Sequence, residues 1–215
     1  MNREAVIIGA GGLGREIAAT IINYFPNQYH LIGFIDDGLE PGTKVNDLKI
    51  IGGLEKLLKM RIRPSIFIGL GNPKIKSTIV SKLRRGFELN IVNFPNLIHP
   101  FARLHQGDFI EIGIGNFIAD SVIITTNVKI GDFNLINLTS TIGHDSYIGN
   151  YCSIMPAVNI SGGAQLEDFA YVGTGVKLIK ASSIGKGSII GAGAVVNQSV
   201  GENETWAGVP ARKIG

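Results

Sequence analysis

The chain has 215 residues and a mass of 23.0 kDa, with 20 Lys plus Arg against 17 Asp plus Glu for a net charge of +3. Hydrophobic residues make up 45% and charged residues only 17%, which excludes a disordered chain and points away from a dedicated nucleic-acid binder. One cysteine excludes an internal disulfide framework, and the longest apolar runs are too short for a signal core or a membrane span, so a cytoplasmic protein with no membrane insertion is expected.

Residues 5–8 read as a buried strand, followed by Gly9-Ala10-Gly11-Gly12-Leu13-Gly14 and a helical pattern through Ile17, Ile21 and Ile22. A second strand over 31–35 runs into Asp36-Asp37. A short helix over 54–60, a third strand over 65–70 and a further helix over 74–85 complete this part. Alternating strand and helix predicts a small Rossmann-like α/β domain with a parallel sheet over residues 1–97. Its glycine loop lies between strand and helix, where backbone N–H groups and the helix dipole favour a phosphate. Gly9, Gly11, Gly12 and Gly14 are therefore candidate substrate-binding positions, with Asp36 and Asp37 placed to accept hydrogen bonds from a ribose or base. The domain is too short for a full dinucleotide fold, which favours a nucleotide sugar over NAD. Residues 1–97 hold 13 basic and 8 acidic residues, the remainder 7 and 9, a balance that also favours an anionic ligand in the first part.

From Ile112 the pattern changes. Every sixth residue through Val196, fifteen positions in all, is Ile, Leu or Val without an insertion. Such residues are roughly three in ten of this chain, so a chance match is about one in 10^8. Glycine often follows the aliphatic residue, as at Gly113, Gly131, Gly143 and Gly173, and a small residue often precedes it by two. A period of six suits a chain that turns a corner every six residues, so that three hexads close an 18-residue coil and the aliphatic side chains stack inward. This predicts a parallel β-helix of hexapeptide repeats over 98–215, five coils long, with small residues at tight corners and glycine supplying backbone conformations that other residues avoid. The tail Trp206-Ala207-Gly208-Val209-Pro210-Ala211-Arg212-Lys213 closes the open end, and Arg212 or Lys213 could meet phosphates.

Of four histidines, only His144 lies within the regular repeat, in Ile142-Gly143-His144-Asp145. It falls outside the inward row and should project from a coil edge as a general base, with Asp145 orienting the ring. Eighteen residues on, Gly162-Gly163 should leave an open space beside His144 and expose backbone N–H groups able to stabilise an oxyanion. Cys152 falls on a small-residue corner position and should be packed.

The motifs VIIGAGGLGREIA, GFIDD, GLGNPKIK, PNLIHPFA, INLTSTIGHD and WAGVPARKI occur in this order over nearly the whole chain. In this order they resemble the bacterial sugar acyltransferase family, the NeuD/PglD-like hexapeptide-repeat transferases. The resemblance implies a left-handed β-helix, acetyl-CoA as co-substrate, a nucleotide-linked amino sugar as acceptor, and a homotrimer with active sites between subunits. It implies His144 as the catalytic base with Asp145 as its acidic neighbour, and Asn137 as a contact to the acceptor sugar. Gly162, Gly173, Thr174 and Ala192 fall on positions lining the pantetheine channel. Leu13 and Ser153 stand where relatives often carry histidine, Ser153 at a position that meets the thioester region. O-acetylation of a sialic acid, or nucleotide-sugar binding without catalysis, are the alternatives. No metal is expected, because Gly149 stands where a second zinc ligand would follow His144, and His99 and His105 fall on different faces.

Overall fold

The computed structural model describes residues 2–60, 63–87, 92–105, 107–179 and 181–215. The chain divides into two compact units, Met1–Gly71 with Ile75–Pro95, and Asn72–Lys74 with Asn96–Gly215.

In the first unit, β1 (Arg3–Ile8), β2 (Tyr29–Ile35), β3 (Lys44–Val45), β4 (Leu48–Gly52) and β5 (Ser65–Ile68) form one sheet in the order β3-β4-β2-β1-β5. Strands β1, β2, β4 and β5 are parallel, and the short edge strand β3 runs antiparallel to β4. Ala5 through Ile8 are all buried, as a central parallel strand covered on both faces requires. Helices α1 (Gly12–Tyr24), α2 (Leu54–Leu58) and α3 (Pro73–Gly86) alternate with the strands. The β3–β4 hairpin, turning at Asn46 with φ +50°, leaves no mark in the sequence pattern: its strands are too short to show a period. Strand order reverses between β1 and β5, so the glycine loop after β1 lies at the topological switch point where α/β sheets hold ligands.

In the second unit the hexad register is realised residue by residue. Strands of two or three residues form three parallel sheets, the faces of a left-handed prism. The first face carries Ile118, Ile136, Ile154, Val172 and Ile190, the second Ile124, Ile142, Ile160, Leu178 and Val196, and the third Ile130, Ile148, Leu166 and Ile184. These side chains form one buried column, and each contributes roughly 1.5–3 kcal/mol from burial.

The helix is longer than the five expected coils. Leu97–Ile98 and Arg103–Leu104 form the start of an additional coil, paired 20 residues on with Phe117–Ile118 and Ile123–Ile124. The two extra residues lie between Leu104 and Ile112, where a 3-10 turn spans Gly107–Phe109, and they hide this coil from a strict six-residue register.

The corners also differ from expectation. The left-handed backbone does not fall on the glycine after each aliphatic residue. It recurs every six residues from Gly115 to Gly193, and nine of those fourteen residues are not glycine, Asn127, Phe133, Asp145 and Tyr151 among them. The glycines after the aliphatic residues serve close approach between coils: a Cβ on Gly131 would stand 2.8 Å from Gly149 O, and one on Gly143 2.5 Å from Gly162 N.

Candidate active site

At the corner between the second and third faces, Ile142 is buried and the chain turns outward through His144 and Asp145, both side chains 58% exposed. Asp145 has φ +58°, a conformation that asparagine and aspartate tolerate better than most residues. Its Oδ2 lies 2.7 Å from His144 Nδ1, and its Oδ1 accepts a 3.2 Å hydrogen bond from Asn127 Nδ2, one coil earlier. The hydrogen bond with His144, then that from Asn127, hold the Asp145 carboxyl below its usual range. An ionised carboxylate only accepts, so His144 Nδ1 carries the proton and Nε2 the lone pair.

That lone pair lies over the next coil. A Cβ on Gly162 would stand 2.5 Å from His144 Nε2 and 2.6 Å from Cε1, so the imidazole itself occupies the space expected to be open beside it. Gly163 N–H is committed to His144 O at 2.8 Å, whereas Gly162 N–H has no acceptor among the described residues. The corner between the third and first faces is built differently. There each coil is capped by the next: Ile114 N–H donates to Asp132 Oδ1, Asp132 N–H to Asn150 Oδ1 and Asn150 N–H to Asp168 Oδ1. At the His144 corner the residue one coil on is Gly162, which has no side chain to accept from His144 N–H in that way. One corner satisfies its amides internally, and the other keeps a base and an N–H donor side by side.

The remaining expected positions divide between places. Asn137, Gly173, Thr174 and Ala192 sit at the corner between the first and second faces. Thr174 and Ala192 are exposed there, while Asn137 is buried with its Oδ1 accepting from Leu138 N–H at 2.7 Å. Ser153 lies on the first face, fully buried, so its hydroxyl does not reach an open surface. Within one chain the His144 group and the Ala192 group stand a full face apart. Lys213 Nζ is bound to Glu204 Oε1 at 2.8 Å, and Arg212 Nη1 donates to Ala211 O, so both cations expected to meet phosphates have partners in their own hairpin. Cys152 is buried, its N–H donating to Asn134 Oδ1 and its Sγ lying 3.1 Å from Glu167 O. Among the described residues no group of three or more His, Cys, Asp or Glu could hold a metal ion.

In the first unit, Gly9, Asp36, Asp37, Leu54, Leu70 and Ile75 line a cavity of about 190 Å³ at the strand C-terminal ends. Gly9 has φ +91°, and a Cβ on Gly14 would stand 2.0 Å from Gly9 O, so these two glycines shape the turn. Gly11 and Gly12 have open space around them and leave the start of α1 accessible. Asp36 and Asp37 do more than face the cavity. Asp36 accepts from Ala10 N–H and Gly38 N–H, both at 2.9 Å, tying the glycine loop to the end of β2, and Asp37 Oδ1 accepts from Leu54 N–H at 2.8 Å at the start of α2. Each carboxylate keeps lone pairs for a ligand hydroxyl or N–H.

Asn127 carries no motif that marks it in the sequence, although the 18-residue arithmetic that links His144 to Gly162 also places it one coil before Asp145.

Fold and site together define a hexapeptide-repeat acyltransferase with an appended α/β domain. Residues 4–83 match the PglD N-terminal domain family. The chain is 33% identical over 192 residues to the GDP-perosamine N-acetyltransferase of Escherichia coli O157:H7, covering 87% of this chain and 82% of that protein. It superposes on PerB from Caulobacter crescentus in complex with CoA and GDP-perosamine with a TM-score of 0.88 at 26% identity, covering 99% and 97% of the two chains. It superposes on WeeI from Acinetobacter baumannii AYE with a TM-score of 0.86 at 31% identity, covering 98% and 99%. The chain belongs to the NeuD/PglD-like family of sugar acetyltransferases.

Proposed function

We propose that the protein transfers the acetyl group of acetyl-CoA to the amine of a nucleotide-linked amino sugar, for bacterial surface-glycan synthesis in the cytoplasm. The observation that carries this reading is the second-to-third corner: a base with its lone pair on Nε2, oriented by Asp145, over a glycine whose N–H has no acceptor among the described residues. The relatives support the acceptor class, since by their names they acetylate or bind GDP-perosamine.

Acetyl-CoA supplies an activated acyl carbonyl and a thiolate leaving group. His144 Nε2 takes the proton from the sugar amine as the new N–C bond forms. Gly162 N–H donates to the carbonyl oxygen as negative charge develops there. As the C–S bond breaks, His144 returns its proton to sulfur. Asp145 stays ionised and stabilises the imidazolium between the two proton transfers.

The α/β unit, residues 1–97 in this reading, holds the nucleotide through the glycine loop and its two aspartates, and residues 98–215 carry out the transfer. Active sites form between neighbouring subunits of a homotrimer. This assignment is supported by the separation of His144 and Gly162 from Thr174 and Ala192 by a full prism face, since a second chain can bring the two corners together.

Free-thiol release from acetyl-CoA tests the reading with UDP-4-amino sugars, GDP-perosamine and sialic acids as acceptors. Release with an amino sugar is expected, and His144→Ala should lower it by at least ~10^2-fold while acetyl-CoA still binds. Release with sialic acid alone would make the protein an O-acetyltransferase, and an unimpaired His144→Ala variant would remove the base from the mechanism.

A further inference from the structure

We propose that Asn127 is a positioning residue for the acetyl transfer, acting on His144 only through Asp145; the proposal rests on the function just described. The three side chains form a chain of contacts across two coils. Asn127 Nδ2 donates to Asp145 Oδ1 at 3.2 Å, and Asp145 Oδ2 meets His144 Nδ1 at 2.7 Å. Each carboxylate oxygen therefore has a different partner, and the carboxylate plane is held from both sides. Asp145 is 58% exposed. Without the amide, one rotation about its side chain would carry Oδ2 away from the imidazole into water.

The backbone argues in the same direction. Asn127 and Asp145 occupy the same corner position in successive coils, with φ +53° and +58°. Two left-handed residues 18 apart present their side chains to each other along the helix axis. Asparagine fits this position for two reasons: it tolerates the left-handed conformation, and its amide supplies the donor that a carboxylate needs. Aspartate would supply only acceptors. In the two following coils the same position is taken by Gly163 and Ala181, neither of which can make such a bond.

The consequence lies in the tautomer of His144. A fixed Asp145 keeps the proton on Nδ1 and the lone pair on Nε2, over Gly162, where the amine must be deprotonated. A freely rotating Asp145 lets the ring take the opposite tautomer, which puts a proton where the base is needed. Asn127 does not touch the reacting atoms, so its loss should lower kcat and leave both KM values near their wild-type levels.

Glycine is the informative replacement, because it keeps φ positive without strain and removes only the amide. Asn127→Gly should lower kcat about ten-fold by misplacing the base, with KM for acetyl-CoA and acceptor within about two-fold of wild type. In an Asp145→Gly background the same substitution should cost nothing further, as required of a residue acting through Asp145. Nitrogen-15 NMR of the histidines reads the tautomer without any acceptor sugar: the wild-type His144 signal should report Nδ1–H, and Asn127→Gly should shift it toward Nε2–H. An unchanged kcat, an equal loss in the Asp145→Gly background, or an unmoved tautomer would each overturn the proposal. Should no acceptor be acetylated by the wild type, the functional reading fails, and the tautomer measurement still decides the role of Asn127.

Discussion

Gly162 shows how one missing side chain arranges a site. Its backbone is not left-handed, so alanine is allowed there by conformation, yet the added methyl would fall 2.5 Å from His144 Nε2. The imidazole is the softer neighbour and must move. Gly162→Ala should therefore keep its melting temperature close to wild type while kcat drops about 10^2-fold, as a displacement near 1 Å at the reacting centre implies. Steady-state kinetics beside a thermal melt separates the two effects. The adjacency of this residue to His144 is legible in the sequence, because adding 18 to 144 places a glycine in the next coil. The filling of that gap by the ring is not legible there, since a register fixes which residues are neighbours and says nothing of rotamers. Ser153 illustrates the same limit: its place in the hexad is plain from the sequence, but its complete burial is not.

At the scale of elements, the C-terminal hairpin is the best example of a feature half visible in the chain. Thr205–Ala207 continues the first face in parallel and Arg212–Lys213 returns antiparallel to it, so the tail does close the prism. The polar knot that holds it has no counterpart in the sequence pattern. Glu204 accepts from Lys213 Nζ, from the Trp206 indole N–H and from Gly201 N–H, and these hydrogen bonds pull its carboxyl from 4.5 down to about 2. A carboxyl depressed in the folded state contributes stability that is complete above its unfolded value and is lost as pH falls toward its folded value. The melting temperature of the wild type should thus exceed that of Glu204→Gln at neutral pH, with the gap closing between pH 4.5 and about 2. Trp206, the single tryptophan, reports the hairpin by its fluorescence. A gap that persists below that range would show that shape, not charge, holds the hairpin. Hairpin β3–β4 and the first coil escape sequence reading for a related reason. Both are too short or too irregular to establish a period, whereas fifteen hexads in one register can hardly be missed.

For the whole molecule, the proposed site requires His144 and Ala192 to meet, although they project from different corners. Six residues span the face between successive corners, a distance of up to ~20 Å for extended chain, so one chain alone does not bring them together. Two inactive variants, His144→Ala and Ala192→Trp, should each fail separately and regain activity when unfolded and refolded together. Random assembly would then give roughly a quarter of sites both intact halves, as expected for a shared cyclic interface. Sites confined to single chains would stay silent in the mixture, because every chain carries one defect. The two-unit architecture is legible in the switch of period along the chain. The separation of His144 and Ala192 onto different corners follows from the same repeat, read modulo three.

Stacking by coils also makes the second unit a ruler. Ile142, Ile160, Leu178 and Val196 climb the second face in single strand steps, and at ~4.8 Å per step the last lies ~14 Å above the first. An insertion of one residue inside a strand would turn the aliphatic side chain after it the wrong way, whereas extra residues between strands can be looped out, as the two between Leu104 and Ile112 are. An insertion of 18 would simply raise everything beyond it by one rung. The reach between base and closing hairpin is therefore quantised, and evolution or design can lengthen it only a whole coil at a time.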